Sequence, residues 1–172
     1  MKVMEILFNN GGRVKLVVEM PDPARYMTIH APHIPKLLFK LFPRLAKHRC
    51  ENDNGFTFRQ ECRSTEIPHL FEHLIIELQD QACAATRLKG ETQWNWHVDP
   101  RGRFHVYVDY ENELLALGAI HAAERIINAL DAKCLDDLDV EQEIEALKRL
   151  AAVGHRVRNG TELAPEEAQT AA

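Results

Sequence analysis

Apolar positions alternate with polar ones along the first twenty residues and then recur at helical spacing. Val3–Phe8 and Arg13–Met20 are apolar, β-branched runs, and Asn9-Asn10-Gly11-Gly12 between them tolerates positive φ, which predicts a β-hairpin. Pro21 and Pro23 stop the second strand. Tyr26–His30 predicts a further short strand, closed by Pro32 and Pro35. Leu37, Leu38, Leu41, Phe42 and Leu45 then predict a helix over Ile34–His48, and Pro43 inside it predicts a kink or break near Leu41. Asn52–Gly55 reads as a turn and Phe56–Cys62 as a strand.

A long amphipathic helix follows at about Pro68–Ala84. Ser64 or Thr65 would cap it, and Pro68 sits near its first turn, where a missing N–H costs nothing. Trp94–Val98 and Phe104–Tyr110 predict two strands around the turn Pro100-Arg101-Gly102. Glu111–Leu130 predicts another helix, and Val140–Val153 a short charged one that Gly154 would end. From Asn159 onward the composition predicts a disordered tail. The expected class is α+β, an antiparallel sheet of short strands packed by about three main helices, with the Pro68–Ala84 helix central. Residues 1–135 would form this domain, 136–158 a C-terminal charged helix and 159–172 the tail.

Composition narrows the partners. With 172 residues, 45% hydrophobic and 27% charged, the chain is expected to fold as one globular unit. A formal net charge of −5 argues against nucleic acid or an anionic membrane, both of which favour a basic surface. Short basic runs occur at Lys36–His48 and His155–Arg158, and the helical apolar spacing of the first favours a solvated helix face over a binding patch. Cys50, Cys62, Cys83 and Cys134 are far apart and form no C-x-x-C pair. With no signal segment and no long apolar run, they predict reduced thiols in a cytoplasmic protein. The composition is compatible with a homo-oligomer.

One pattern carries chemistry. His69-Leu70-Phe71-Glu72-His73 is H-x-x-E-H, the zincin arrangement in reverse order. On a helix, with His69 at zero, Glu72 falls at about 300°, His73 at about 40° and Glu77 at about 80°. Leu70, Phe71, Leu74, Ile75 and Leu78 occupy the opposite arc. The two imidazoles can therefore converge on one zinc ion, and Glu72 can take the proton of a water that the metal acidifies. The same residues are also acceptable occupants of the polar face that every amphipathic helix needs.

A catalytic zinc normally has three protein ligands. Glu77 lies about 12 Å of helical rise from His69, so its expected role is to orient His73 from outside the ligand set. Glu113 is the expected third ligand, with Glu111 and Asp109 behind it. On the plainer reading these acids only favour a helix N-terminus. Imidazole and carboxylate ligands suit zinc but also manganese, iron or cobalt. No phosphate-binding glycine loop and no G-x-S-x-G elbow is present.

The run Pro68-His69-Leu70-Phe71-Glu72-His73-Leu74-Ile75-Ile76-Glu77-Leu78-Gln79 resembles the H-x-x-E-H-x-x-x-E-L-Q stretch of the N-terminal domain of cyanophycin synthetase. Leu37-Leu38, Leu41 and Pro43-Arg44-Leu45 before Cys50 resemble that family's leucine-rich helix. Val106-Tyr107-Val108-Asp109-Tyr110 resembles its aromatic and acidic strand, and the likeness spans about residues 1–131. In the synthetases this domain precedes ligase domains that build a polymer of aspartate and arginine. Neither ligase is visible in this sequence, so polymer synthesis is not expected of this chain. The resemblance implies a metallopeptidase-like trimming activity, with His69 and His73 as zinc ligands and Glu72 as general base. The family's glycines after the motif helix are replaced by Ala82, Cys83, Ala84 and Ala85, so a substrate groove of different shape is expected. The expected function is thus zinc-dependent hydrolysis of an amide or isopeptide bond, in a peptide or Asp-Arg polymer. The alternative is a non-catalytic module that binds polymer or protein through a degenerate site.

Overall fold

The structure, a computed structural model, describes residues 1–50, 55–83, 87–136 and 138–158. Most of the turn read at Asn52–Gly55, and the tail from Asn159, lie outside the described residues. Four strands form one antiparallel sheet in the order β1-β2-β4-β3: β1 Lys2–Phe8, β2 Arg13–Glu19, β3 Gly90–Gln93 and β4 Arg103–Asp109. Five α-helices accompany it among the described residues: α1 His33–Leu41, α2 Phe58–Glu61, α3 Ile67–Ala82, α4 Glu113–Ala132 and α5 Val140–Arg158. The class is α+β, as expected.

Alternation places the core. Val14, Leu16 and Val18 of β2 and Phe104, Val106 and Val108 of β4 are fully buried, while Arg13, Lys15, His105 and Tyr107 turn to the other face. The buried face packs against α3, with α4 beyond it, and α5 covers both helices through Leu147 and Ala151. The Asn9–Gly12 hairpin forms as read, with Gly12 at φ 74°.

Pro43 also acts as expected. The α1 helix ends at Leu41, Phe42 leaves the helical region at φ −126° and ψ 77°, and Pro43–Lys47 continues as a 3₁₀ turn. That break swings His48 and Cys50 toward α3.

Five expectations need correction. The N-cap of α3 is Glu66, which makes no side-chain cap bond, rather than Ser64 or Thr65. Tyr26–His30 forms no sheet strand. Met27 makes one isolated bridge to Glu66, and Thr28–His30 is a 3₁₀ turn tied by Thr28 N–H to Thr65 O at 2.8 Å. Phe56–Cys62 is not a strand either, because Thr57 and Gln60 form a reciprocal capping box that starts α2. The strand placed at Trp94–Val98 lies upstream, at β3. Trp94 and Trp96 instead stack on each other, centroids 4.4 Å apart, and the Trp96 indole donates to Arg103 O at 3.0 Å. Alternation there reflected ring stacking rather than sheet pairing.

Finally, Gly154 does not end α5 but lies inside it. A Cβ at Gly154 would collide with the side-chain amide of Asn112. Asn112 caps α4 by accepting from Leu115 N–H at 3.1 Å and donates to Ala151 O at 3.1 Å. Glycine is needed there so that α5 can pass over the α4 cap. Gly154→Ala should therefore destabilise the protein by about 1–2 kcal/mol. A solvent-exposed helical site would gain about 1 kcal/mol from the same change. Urea denaturation reads the sign directly.

Candidate metal centre

The α3 helix has no solvated polar face. Glu72, His73, Glu77 and Gln79 are 0–5% exposed. β3 covers one flank of the polar stripe, and the 3₁₀ segment with α2 covers the other. The Phe58 ring of α2 stacks on His73 at 3.7 Å.

Three donors converge. Cys50 Sγ lies 3.4 Å from His69 Nε2, and one ligand atom from each of Cys50, His69 and His73 falls within 4.8 Å of the others. Hydrogen bonds outside this trio orient both rings. Thr65 Oγ1 donates to Glu66 Oε2 at 3.3 Å, so at 2.8 Å it receives the Nδ1–H of His69. That leaves the Nε2 lone pair of His69 facing the thiol. Likewise, Glu77 Oε2 accepts His48 Nε2–H at 2.8 Å, which leaves His48 Nδ1 as an acceptor. His73 Nδ1–H donates to it at 3.2 Å and holds the Nε2 lone pair free.

Electrostatics favour the same forms. Burial pushes the His69 imidazolium pKa down. It pushes His73 well down, and His69 and His48 nearby add to the effect. Both rings are therefore neutral at neutral pH, the form that binds a metal. Burial alone would raise the Glu77 carboxyl, but the hydrogen bonds from His48 and Gln81 outweigh it and leave the pKa below its ordinary value.

The donor set fits zinc: one sulfur ligand and two imidazole nitrogens, with room for a fourth ligand. Glu72 stands beside it, with Oε1 4.0 Å from His73 Nε2, and Oε2 accepts the Thr92 hydroxyl at 2.6 Å. Burial pushes the Glu72 pKa up to about 7 against the Thr92 hydrogen bond. A Cβ at Gly90 would meet the Glu72 carboxyl, at 2.6 Å from its Cγ, so glycine lets β3 close over this group.

The predicted site residues divide cleanly. His69, Glu72 and His73 come together. Glu77 reaches His73 only through His48. Glu113 hydrogen-bonds Tyr110 at 3.3 Å, and Asp109 holds Arg13 at 3.4 Å and Lys89 N–H at 3.0 Å. Glu111 lines a separate small cavity with Cys83 and His155. None of these three acids joins the cluster. Cys50, His48, Thr65, Phe58 and Thr92 were not anticipated at the site. The one sequence signal was His48-Arg49-Cys50, two donor types two residues apart just after the Pro43 break.

The cluster opens into a cleft of about 1000 Å³ between β3 and the His48–Cys50 segment. Together these features define a small α+β domain whose central helix carries two histidines of a His-Cys cluster and a buried carboxyl under an edge strand. Residues 15–132 match the family described as the cyanophycin synthase-like N-terminal domain, and the chain belongs to that family. A comparison with curated proteins gave no match. Among the described residues, no helix is long and apolar enough to cross a membrane.

The raised Glu72 pKa has a thermodynamic signature. The unfolded carboxyl titrates near 4.5 and the folded one near 7, so between those values the folded state binds more protons. The associated stability is present below pH 4.5 and is lost as pH rises through 7. In metal-free protein, wild type should lose about 2–3 kcal/mol relative to Glu72→Gln between pH 5 and pH 8. Denaturant titrations of both proteins at the two pH values measure that difference.

Proposed function

We propose that this chain is a zinc-dependent hydrolase of amide bonds, acting on a peptide or on an Asp-Arg polymer of the kind the family resemblance implies. The supporting observation is the convergence of Cys50, His69 and His73 beside the buried carboxyl of Glu72, at the floor of a cleft. Cys50, His69 and His73 would hold the metal, with His69 set by Thr65 and His73 by the Glu77–His48 relay. A bound zinc would supply Lewis acidity, lowering the pKa of a water to about 7 and polarising the substrate carbonyl.

Glu72 is the group that moves protons. Its Oε1 lies 4.0 Å from His73 Nε2, within reach of a water in the cleft, where a carboxylate can accept that water's proton and return it. It takes one proton as the water oxygen bonds to the amide carbon. It then passes that proton to the departing nitrogen as the C–N bond breaks, giving a carboxylic acid and an amine. Thr92 steadies the second carboxyl oxygen, and β3 shields the group from bulk water.

Elemental analysis of purified protein supplied with zinc tests the metal part of this reading. About one zinc per chain is expected, lost in His69→Ala and strongly weakened in Cys50→Ala. Glu77→Gln should cost roughly 10–100-fold in zinc affinity, because it frees the tautomer of His48 and with it the orientation of His73. Glu72→Gln should keep the metal and lower turnover of peptide or Asp-Arg substrates by roughly 10²–10⁴-fold. Full activity in that variant overturns the role given to Glu72. Zinc binding with tight polymer binding but no cleavage would leave a binding module instead.

A further inference from the structure

β3 is an edge strand, paired with β4 on one side only. Asp109 N–H donates to Lys89 O at 2.8 Å, so these residues form a hydrogen-bonded antiparallel pair. The register continues Gly90↔Val108, Glu91↔Tyr107, Thr92↔Val106 and Gln93↔His105. Bonded and non-bonded pairs alternate in an antiparallel ladder, so Glu91 and Gln93 bond to β4 while Gly90 and Thr92 do not. The N–H and C=O groups of Gly90 and Thr92 therefore point to the free edge. Among the described residues they have no hydrogen-bond partner. Both residues line the cleft, and Thr92 hydrogen-bonds Glu72.

Charge adds a second observation. Arg49, Arg87 and Lys89 line the same cleft, and none of their side chains forms an ion pair among the described residues. Of the four acids that line it, Asp80 pairs with Arg44 and Glu91 with Arg13 at 3.3 Å, while Glu72 accepts the Thr92 hydroxyl at 2.6 Å and Glu66 the Trp94 indole at 3.1 Å. The cleft thus offers unpaired main-chain groups on one wall and spare cations around them.

We infer that the cleft takes an extended peptide with carboxylate side chains, docked along β3 as a fifth strand through the main-chain groups of Gly90 and Thr92. This deepens the hydrolase reading and rests on it for the fate of the peptide: the bond presented to Glu72 is a main-chain amide. A bound strand satisfies the edge groups by the same ladder that joins β3 to β4. Its acidic side chains reach Arg49, Arg87 and Lys89.

The test reads docking alone, in metal-stripped full-length protein where no cleavage confuses it. Fluorescence anisotropy would follow a dye-labelled, N-acetylated hexa-aspartate amide. We expect at least tenfold weaker binding when every peptide nitrogen is methylated, and at least tenfold weaker binding of the hexa-lysine analogue. Thr92→Pro removes one edge N–H without touching a β4 bond, and proline is tolerated on an edge strand. It should weaken binding tenfold or more. Equal binding of the methylated peptide by wild-type protein overturns the inference even if the proline variant fails to fold. Equal or tighter binding of hexa-lysine overturns its charge part. Docking with this pattern but without zinc uptake or cleavage would sustain the inference and sink the hydrolase reading; cleavage with no sensitivity to methylation would do the reverse.

Discussion

Burying the polar side of α3 is the constraint on which this structure turns. A helix that places Glu72, His73, Glu77 and Gln79 in the interior must give each group a partner, because an unsatisfied buried polar group costs several kcal/mol on the order of a whole domain's margin. Thr92 serves Glu72, His48 serves both His73 and Glu77, and Gln79 donates to the Asp109 carbonyl. Those partners come from β3, from the segment after the Pro43 break and from the end of β4. The positions of three separate parts of the chain are thus set by the needs of one helix. A degenerate surface helix would need none of this.

The same constraint decides how much could be read in advance. The hairpin was legible because Asn9–Gly12 is local turn chemistry, and the Pro43 break because proline acts on its own residue. His69, Glu72 and His73 were legible because their grouping is a property of one helix. Cys50 was not, since its approach to His69 depends on how the chain turns after Phe42. The helical projection separated a polar face from an apolar one correctly but could not show that β3 and α2 bury the polar one. The α2 helix was missed although Thr57-Phe58-Arg59-Gln60 carries a capping box, because Phe56–Cys62 also alternates. Trp94 and Trp96 misplaced β3 by the same route. Period-2 alternation is ambiguous in stretches this short.

Family membership and site geometry bear on different questions. The match over residues 15–132 establishes what kind of domain this is, and it covers β2 through α4. It leaves α5 outside. Yet α5 packs on α3 and α4 and depends on Gly154 to clear the Asn112 cap. This last helix therefore packs on the motif helix itself, although the family pattern ends before it begins.

The order of strands has a consequence for how the protein comes to be made. β2 lies near the N-terminus, but its partner β4 is some eighty residues further along, as the Arg103–Glu19 pair records with a separation of 84. β3, the wall over Glu72, is held by β4 alone within the sheet. During synthesis the motif helix emerges before β3 and β4, with its buried carboxyls and imidazoles still lacking part of their partners. Closing so long a loop is slow and brings no reward until it is complete. The site thus matures late and all at once, when β4 arrives and the nascent chain can first shut the sheet over α3.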